Sequence, residues 1–89
     1  MKDSRQLFNK YKSGKDFIKA AEKSENVVSI RQGKGDHVIV TAKNGKSIPV
    51  PMHREIATGT RWNLIKFFVK AGIIVFVLAY IFLKINYLI

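Results

Sequence analysis

In the first quarter of the chain, apolar residues recur at the spacing of a helix. Residues 1–12 place three apolar or aromatic side chains at this spacing, which predicts a short helix or a frayed N-terminal arm. From Ser13 to Asp16 the chain has an S-x-x-D pattern, in which a hydroxyl and a carboxylate satisfy free amides of a first helical turn. The apolar stripe that follows predicts a second helix, which ends near Asn26.

The middle of the chain changes to short β-branched runs that are separated by turn residues. Residues 27–32, 37–42 and 47–51 therefore predict three strands. Two glycines in three positions mark the first turn, at residues 33–36, and an Asn-Gly pair that begins at Asn44 predicts a hairpin. The third strand contains two prolines, which lack the N–H that a ladder needs, so we expect it at an edge of the sheet.

Two registers of this hairpin are compatible with the sequence. A two-residue loop would put Ile39 and Thr41 opposite Val50 and Ile48. A three-residue loop with a glycine bulge would instead align Val38, Val40 and Ala42 with the face of the third strand that carries its apolar residues. This register gathers five apolar side chains on one face of the sheet and leaves His37 on the other. We favour the second register. Its apolar face would consist of Val38, Val40, Ala42, Ile48 and Val50.

Another helix is predicted after the third strand. After a loop at residues 52–57, either Thr58 or Thr60 can cap this helix, and Gly72 can end it. The resulting order is helix, three antiparallel strands, helix. It predicts a small two-layer α+β domain, which we assign to residues 13–72.

The remaining segment, residues 73–89, is apolar and predicts a C-terminal helix. Between residues 71 and 89, Lys84 carries the only charge. Nineteen residues in a helix span about 28 Å, close to the hydrocarbon thickness of a bilayer (about 30 Å), although the charge-free part, residues 71–83, has the length of a buried helix. Two interpretations stay open: a membrane anchor that leaves the basic domain in the cytoplasm, or a segment buried in an oligomer.

The rest of the chain is strongly basic. The 89 residues contain 16 Lys and Arg against six Asp and Glu, a net charge of +10, and 15 of these basic residues precede residue 71. This excess favours a polyanionic partner such as nucleic acid or an acidic membrane surface. The chain has no cysteine and two histidines, which excludes disulfides, thiol nucleophiles and three-histidine metal sites. We therefore expect no metal and no cofactor.

Several short strings follow one another in an order that resembles the HicA family of toxins. They are 28–32 (VSIRQ), 34–37 (KGDH), 48–53 (IPVPMH), 59–60 (GT), 64–66 (LIK) and 70–73 (KAGI). In the family the second string usually reads K-G-S-H, followed by another histidine, and the third reads V-P-x-H. This chain has Asp36 in place of the serine and Val38 in place of the second histidine.

The resemblance covers residues 13–72 and implies both a fold and an activity. It implies a domain like that of double-stranded-RNA-binding proteins, and an mRNA interferase that a HicB-like antitoxin protein neutralises. The histidine of the second string is catalytic in the family, so the resemblance implies that His37 is catalytic here. It also places the protein in the cytoplasm, with mRNA as its substrate.

The chemistry of these residue types agrees with that implication. RNA cleavage without a metal needs a base for the ribose 2′-hydroxyl, an acid for the leaving oxygen and cations near the phosphate. His37 can be the base, the acid or both in turn, with Arg31, Lys34 and the backbone of Gly35 near the phosphate, and His53 as an auxiliary. The alternatives are a binding module that holds RNA without cleaving it, and an exposed histidine without a role. Further predicted RNA contacts are Arg61 and Lys66.

Overall fold

The computed structural model describes residues 2–74, with side chains from residue 5 onward, and it confirms the predicted α+β class. Three helices and one antiparallel sheet of order β1-β2-β3 make up this region. The elements are α1 (Lys2–Lys10), α2 (Gly14–Lys23), β1 (Val27–Gln32), β2 (His37–Ala42), β3 (Ser47–Pro51) and α3 (Thr58–Lys70). The short N-terminal helix is thus present as α1, and the proline-containing strand β3 lies at an edge of the sheet, as predicted.

Helix α2 begins at the capping box that the sequence predicts. The Ser13 hydroxyl accepts a hydrogen bond from the Asp16 amide at 3.2 Å, and the Asp16 carboxylate accepts from the amides of Ser13 and Lys12, each at 3.1 Å. Burial raises the pKa of Asp16, but these hydrogen bonds and the nearby charge of Lys19 outweigh it and hold the pKa below its ordinary value. The first turn of α2 is therefore fixed by an ionised carboxylate.

The hairpin between β2 and β3 adopts the favoured register. Val38 lies opposite Val50 and Val40 lies opposite Ile48, so His37 projects from the other face of the sheet. The amide of Ala42 donates to the carbonyl oxygen of residue 46 at 2.9 Å, and residue 45 is a glycine with a φ of +85°. This geometry is the three-residue loop with a glycine bulge.

The core lies between the inner face of the sheet and the helices α2 and α3. Phe17 of α2 and Phe68 of α3 are both fully buried, and their rings meet edge to face with centroids 5.3 Å apart. Val40 and Val50 of the sheet are likewise fully buried. One core therefore supports both ends of the sheet.

The start of α3 differs from the prediction, whereas its end agrees. The N-cap position is occupied by Ala57, which has no side-chain oxygen to accept a hydrogen bond. Thr58 and Thr60 both lie inside the helix, so neither of them caps it. At the other end Gly72 has a φ of +73°, its amide donates to the carbonyl of residue 69, and the Ile73 amide donates to the carbonyl of residue 68 at 2.8 Å. These two bonds form a Schellman motif, which ends the helix.

Helix α1 packs on α3 through stacked aromatic rings. The ring centroids of Phe8 and Trp62 are 4.6 Å apart, and Leu7 is buried beside them. The predicted apolar helix, with its interpretation as a membrane anchor or an oligomer contact, falls largely on residues 75–89, which lie outside the described residues. Within residues 2–74, no helix is both long enough and apolar enough to cross a membrane.

Candidate functional site

The turn between β1 and β2 presents His37 at the first position of β2. The Gly33 amide donates to the His37 carbonyl at 2.8 Å, and the His37 amide donates to the Lys34 carbonyl at 3.1 Å. Gly35, at the tip of the turn, has a φ of +57°, a conformation that other residues rarely adopt. The backbone of His37 is therefore fixed on both sides, while its side chain is exposed.

The side chain of Gln32 stabilises this turn by hydrogen bonds to its backbone carbonyls. Its amide nitrogen donates to the carbonyls of Gly35 and His37, each at 3.1 Å, with the Gly33 carbonyl at 3.5 Å. A side-chain amide has two hydrogens, so the two shorter bonds use its donors fully. Sequence analysis did not single out Gln32 for this role. The sequence did contain one indication of this role: a side chain with hydrogen-bond donors directly precedes a glycine-rich turn, whose backbone carbonyls need donors.

The structure brings four of the predicted site residues together at this end of the sheet. Arg31 pairs with Ile39 across the ladder, and Ile39 lies on the same face as His37, two residues further along. Arg31 and His37 are therefore diagonal neighbours, a relation that places Cα atoms about 7–8 Å apart. Lys34 and Gly35 lie in the turn itself, and all four residues are exposed.

His53 reaches the same end of the sheet through the chain that leaves β3. The Met52 amide donates to the Asp36 carbonyl at 2.7 Å, and the His53 carbonyl accepts from the Gly14 amide at 3.0 Å. The Asp36 carboxylate lies 3.9 Å from Nε2 of His53, with side chains 77% and 55% exposed. At that exposure water screens the pair, so it contributes little to the stability of the fold.

Two of the predicted RNA contacts lie elsewhere. Arg61 is only 6% exposed, because its guanidinium stacks 3.5 Å from the centroid of the Phe8 ring and donates to the Phe8 carbonyl at 3.0 Å. Lys66 is exposed on α3 and lines a cleft beside Lys46, which follows the far end of β2. The structure therefore does not bring Arg61 and Lys66 to the His37 turn.

The side chains at the turn are of types that can transfer protons and attract an anion. An exposed imidazole can accept and release a proton near neutral pH, and the neighbouring guanidinium and ammonium groups favour negative charge beside it. Among the described side chains, from residue 5 to residue 74, no three His, Cys, Asp or Glu residues are grouped so that they could hold a metal ion.

Fold and site together define a small basic α+β domain that presents one imidazole beside two cationic side chains. Residues 14–73 match the model of the family described as HicA toxin of bacterial toxin-antitoxin. The chain belongs to this HicA toxin family, and it is therefore a toxin of a toxin–antitoxin system. The resemblance noted in the sequence is confirmed, and helix α1 precedes the matched region. Neither the curated proteins nor the solved structures contain a match to the chain.

Proposed function

We propose that this toxin is a metal-independent endoribonuclease that cleaves mRNA and uses His37 to transfer protons. The observation that carries the proposal is the position of His37, exposed at the start of β2 in a turn that Gln32 braces. Arg31, its diagonal neighbour across the ladder, and Lys34, in the same turn, supply positive charge near it. Membership of the HicA family supports the toxin role on which the proposal builds.

The proposed reaction is an internal attack within the RNA strand. His37 accepts the proton of a ribose 2′-hydroxyl, whose oxygen then bonds to the adjacent phosphorus. The bond from phosphorus to the 5′-oxygen breaks, and that oxygen receives a proton. The products are a 2′,3′-cyclic phosphate and a 5′-hydroxyl. Lys34 and Arg31 favour the additional negative charge that the phosphate carries in the transition state.

The proton for the leaving oxygen has two sources in this geometry. His37 can return the proton that it accepted, or His53, whose Nε2 lies 3.9 Å from the Asp36 carboxylate, can donate one. Removal of His53 separates the two cases. A large loss of cleavage in His53→Ala assigns it the acid role, whereas a small loss leaves both transfers to His37.

The proposal also includes the partners of the toxin. We propose that a HicB-like antitoxin covers the face that carries His37, Arg31 and Lys34, because a cover over this face excludes RNA from the imidazole. The site of action is then the cytoplasm, where mRNA is found. A tail-anchored form, in which the chain after residue 74 enters a membrane, keeps the same domain in the cytoplasm.

Cleavage of purified RNA in the presence of EDTA tests the reaction class. The full-length protein should yield fragments with cyclic phosphate ends at the same rate with and without the chelator. Activity that EDTA abolishes and Mg²⁺ restores would contradict the mechanism. RNA that is bound but stays intact under both conditions would identify the chain as a binding module instead.

A further inference from the structure

A basic cleft lies between the β2–β3 hairpin and the last two turns of α3. Its volume is about 270 Å³. The hairpin contributes one wall and α3 the other, so the lining comes from segments about twenty residues apart in the chain. The lining residues are Asn44, Lys46, Lys66, Phe67, Lys70 and Ala71.

The cleft concentrates positive charge without any compensation. Lys46, Lys66 and Lys70 are all exposed, and among the side chains described, those of residues 5–74, no carboxylate lines the cleft or pairs with these ammonium groups. A lysine in the last turn of a helix is stabilised by the helix dipole, which accounts for Lys70. That effect accounts for neither Lys46 on the hairpin nor the convergence of three like charges. Such a cluster favours an anion.

Asn26 holds the two walls of the cleft together. Its carbonyl accepts from the amide of Lys43 at 2.8 Å, and its side-chain Nδ2 donates to the carbonyl of Gly72 at 2.9 Å. The first bond fixes the start of the hairpin turn, and the second fixes the end of α3. Within the turn, the Lys46 amide donates to the side chain of Asn44 at 2.9 Å. The three lysines thus project from two backbone segments, the hairpin and the end of α3, whose relative position is fixed before any ligand binds.

The cleft and the His37 turn lie at opposite ends of the same strand. Five residue steps separate His37 from Ala42, which corresponds to about 17 Å at the rise of an antiparallel strand. A free phosphate or one lipid headgroup cannot reach both places, whereas a polyanionic strand can. At about 3.4 Å per stacked nucleotide, at least about five nucleotides are needed, because the strand must also pass from the α3 side of the sheet to the opposite face, from which His37 projects.

We propose that Lys46, Lys66 and Lys70 form a second binding site for the RNA backbone, separate from the turn that carries His37. This inference rests on the proposed function, because it takes RNA as the ligand. The site binds phosphates of a strand whose scissile bond lies near His37. It therefore contributes affinity and directs the strand along the sheet, without a part in proton transfer.

The test compares two triple variants that remove the same charge. In full-length protein with His37→Ala, which should leave RNA uncut, Lys46→Gln, Lys66→Gln and Lys70→Gln are combined. The control combines Lys10→Gln, Lys12→Gln and Lys23→Gln, which are equally exposed but lie on and beside α1 and α2. Affinity for a 24-nucleotide single-stranded RNA is measured by fluorescence anisotropy between 50 and 300 mM KCl, values on the order of physiological salt.

The cleft variant should bind at least about tenfold more weakly near 150 mM salt, and its slope of log affinity against log salt should fall by about 2. Three phosphate contacts on a single strand account for that change at about 0.7 each. The control should lose less than about threefold. Equal losses in both variants would show that total charge alone determines affinity, and would overturn the site.

Two further results separate the site from its alternatives. If the cleft variant keeps its RNA affinity but loses binding to vesicles of phosphatidylglycerol, the cleft serves a lipid surface and the proposal is overturned. The wild-type cleavage assay is independent of both measurements. If the cleft variant loses RNA affinity selectively but the wild-type protein does not cleave RNA, the binding site is supported and the endonuclease is contradicted. If the wild-type protein cleaves RNA but the cleft variant shows no selective loss, the endonuclease is supported and the binding site is contradicted.

Discussion

The two ends of strand β2 differ in how their turns are held and in the charge that they present. At the His37 end, a side chain, Gln32, braces the turn, and the exposed groups include a carboxylate and imidazoles beside the cations. At the hairpin end, Asn26 connects two backbone segments, and the charged residues that line the cleft are all lysines. Imidazole and carboxylate groups can take part in proton transfer, whereas ammonium groups attract a phosphate backbone. Under the proposed function, cleavage and strand binding take place at opposite ends of one sheet.

The shared core should be the most sensitive point, because it supports both ends. Phe68→Ala removes a fully buried ring that packs against Phe17, and we expect a loss of about 3–5 kcal/mol in the free energy of unfolding. Cleavage and long-RNA affinity should fall together at temperatures where the variant unfolds. Denaturant unfolding followed by circular dichroism measures the loss. Val28→Ala, at a 61% exposed position, is the control and should change stability by less than about 1 kcal/mol.

Removal of the cations beside His37 should affect chemistry more than binding. Arg31→Ala combined with Lys34→Ala should slow cleavage about 100-fold, since both charges lie near the developing charge of the transition state. Lys10→Ala with Lys12→Ala removes the same charge outside the family-matched region and should change the rate only slightly. Single-turnover cleavage rates compare the pairs. Equal losses would show that charge alone matters and would remove the distinction between the two ends.

Loss of the brace under the turn should have a smaller effect that is confined to the His37 end. Gln32→Ala leaves the carbonyls of Gly35 and His37 without their side-chain donor, so the turn samples more conformations. We expect cleavage to slow about tenfold, while affinity for a long RNA changes by less than twofold because the lysine cleft is untouched. An equal loss of both quantities would indicate that Gln32 supports the whole domain instead.

The smallest effect concerns the capping carboxylate and depends on pH. The folded-state pKa of Asp16 lies below its ordinary value of 3.8, so the ionised carboxylate stabilises the fold above that pH. The contribution disappears as pH falls through the lowered pKa. Asp16→Asn should therefore lower stability by about 0.5–1 kcal/mol at pH 7. The difference between variant and wild type should shrink as the pH falls through that lowered pKa. Thermal unfolding across this range checks the sign, and a difference that grows in acid would contradict it.

Local signals along the sequence predicted most of the fold. The capping pattern at Ser13, the Asn-Gly pair and the glycine at residue 72 each encode their geometry in a few adjacent residues, and each is present in the structure. The start of α3 was predicted wrongly because two threonines offered the same capping hydroxyl, and the helix uses neither. Local chemistry is ambiguous wherever equivalent groups lie two residues apart.

The arrangement around the site depended on contacts that no local pattern encodes. The positive charge of Arg61 made it a candidate RNA contact, but the ring of Phe8, 53 residues earlier in the chain, covers its guanidinium. The roles of Gln32 and Asn26 follow only once the register of the sheet and the end of α3 are known. Asp36 lies next to His37 in sequence, yet its carboxylate meets His53 because adjacent residues point in different directions.

Single-turnover cleavage by His37→Ala protein tests the central claim most directly. The exchange removes the imidazole from an exposed position and little packing, so the fold and the affinity for long RNA should stay within about twofold of wild type. General acid–base catalysis typically contributes 10²–10⁴-fold, and we expect cleavage to fall by about that factor, with loss of growth arrest on expression. Cleavage and toxicity equal to wild type, in a variant that still binds RNA, would contradict the account.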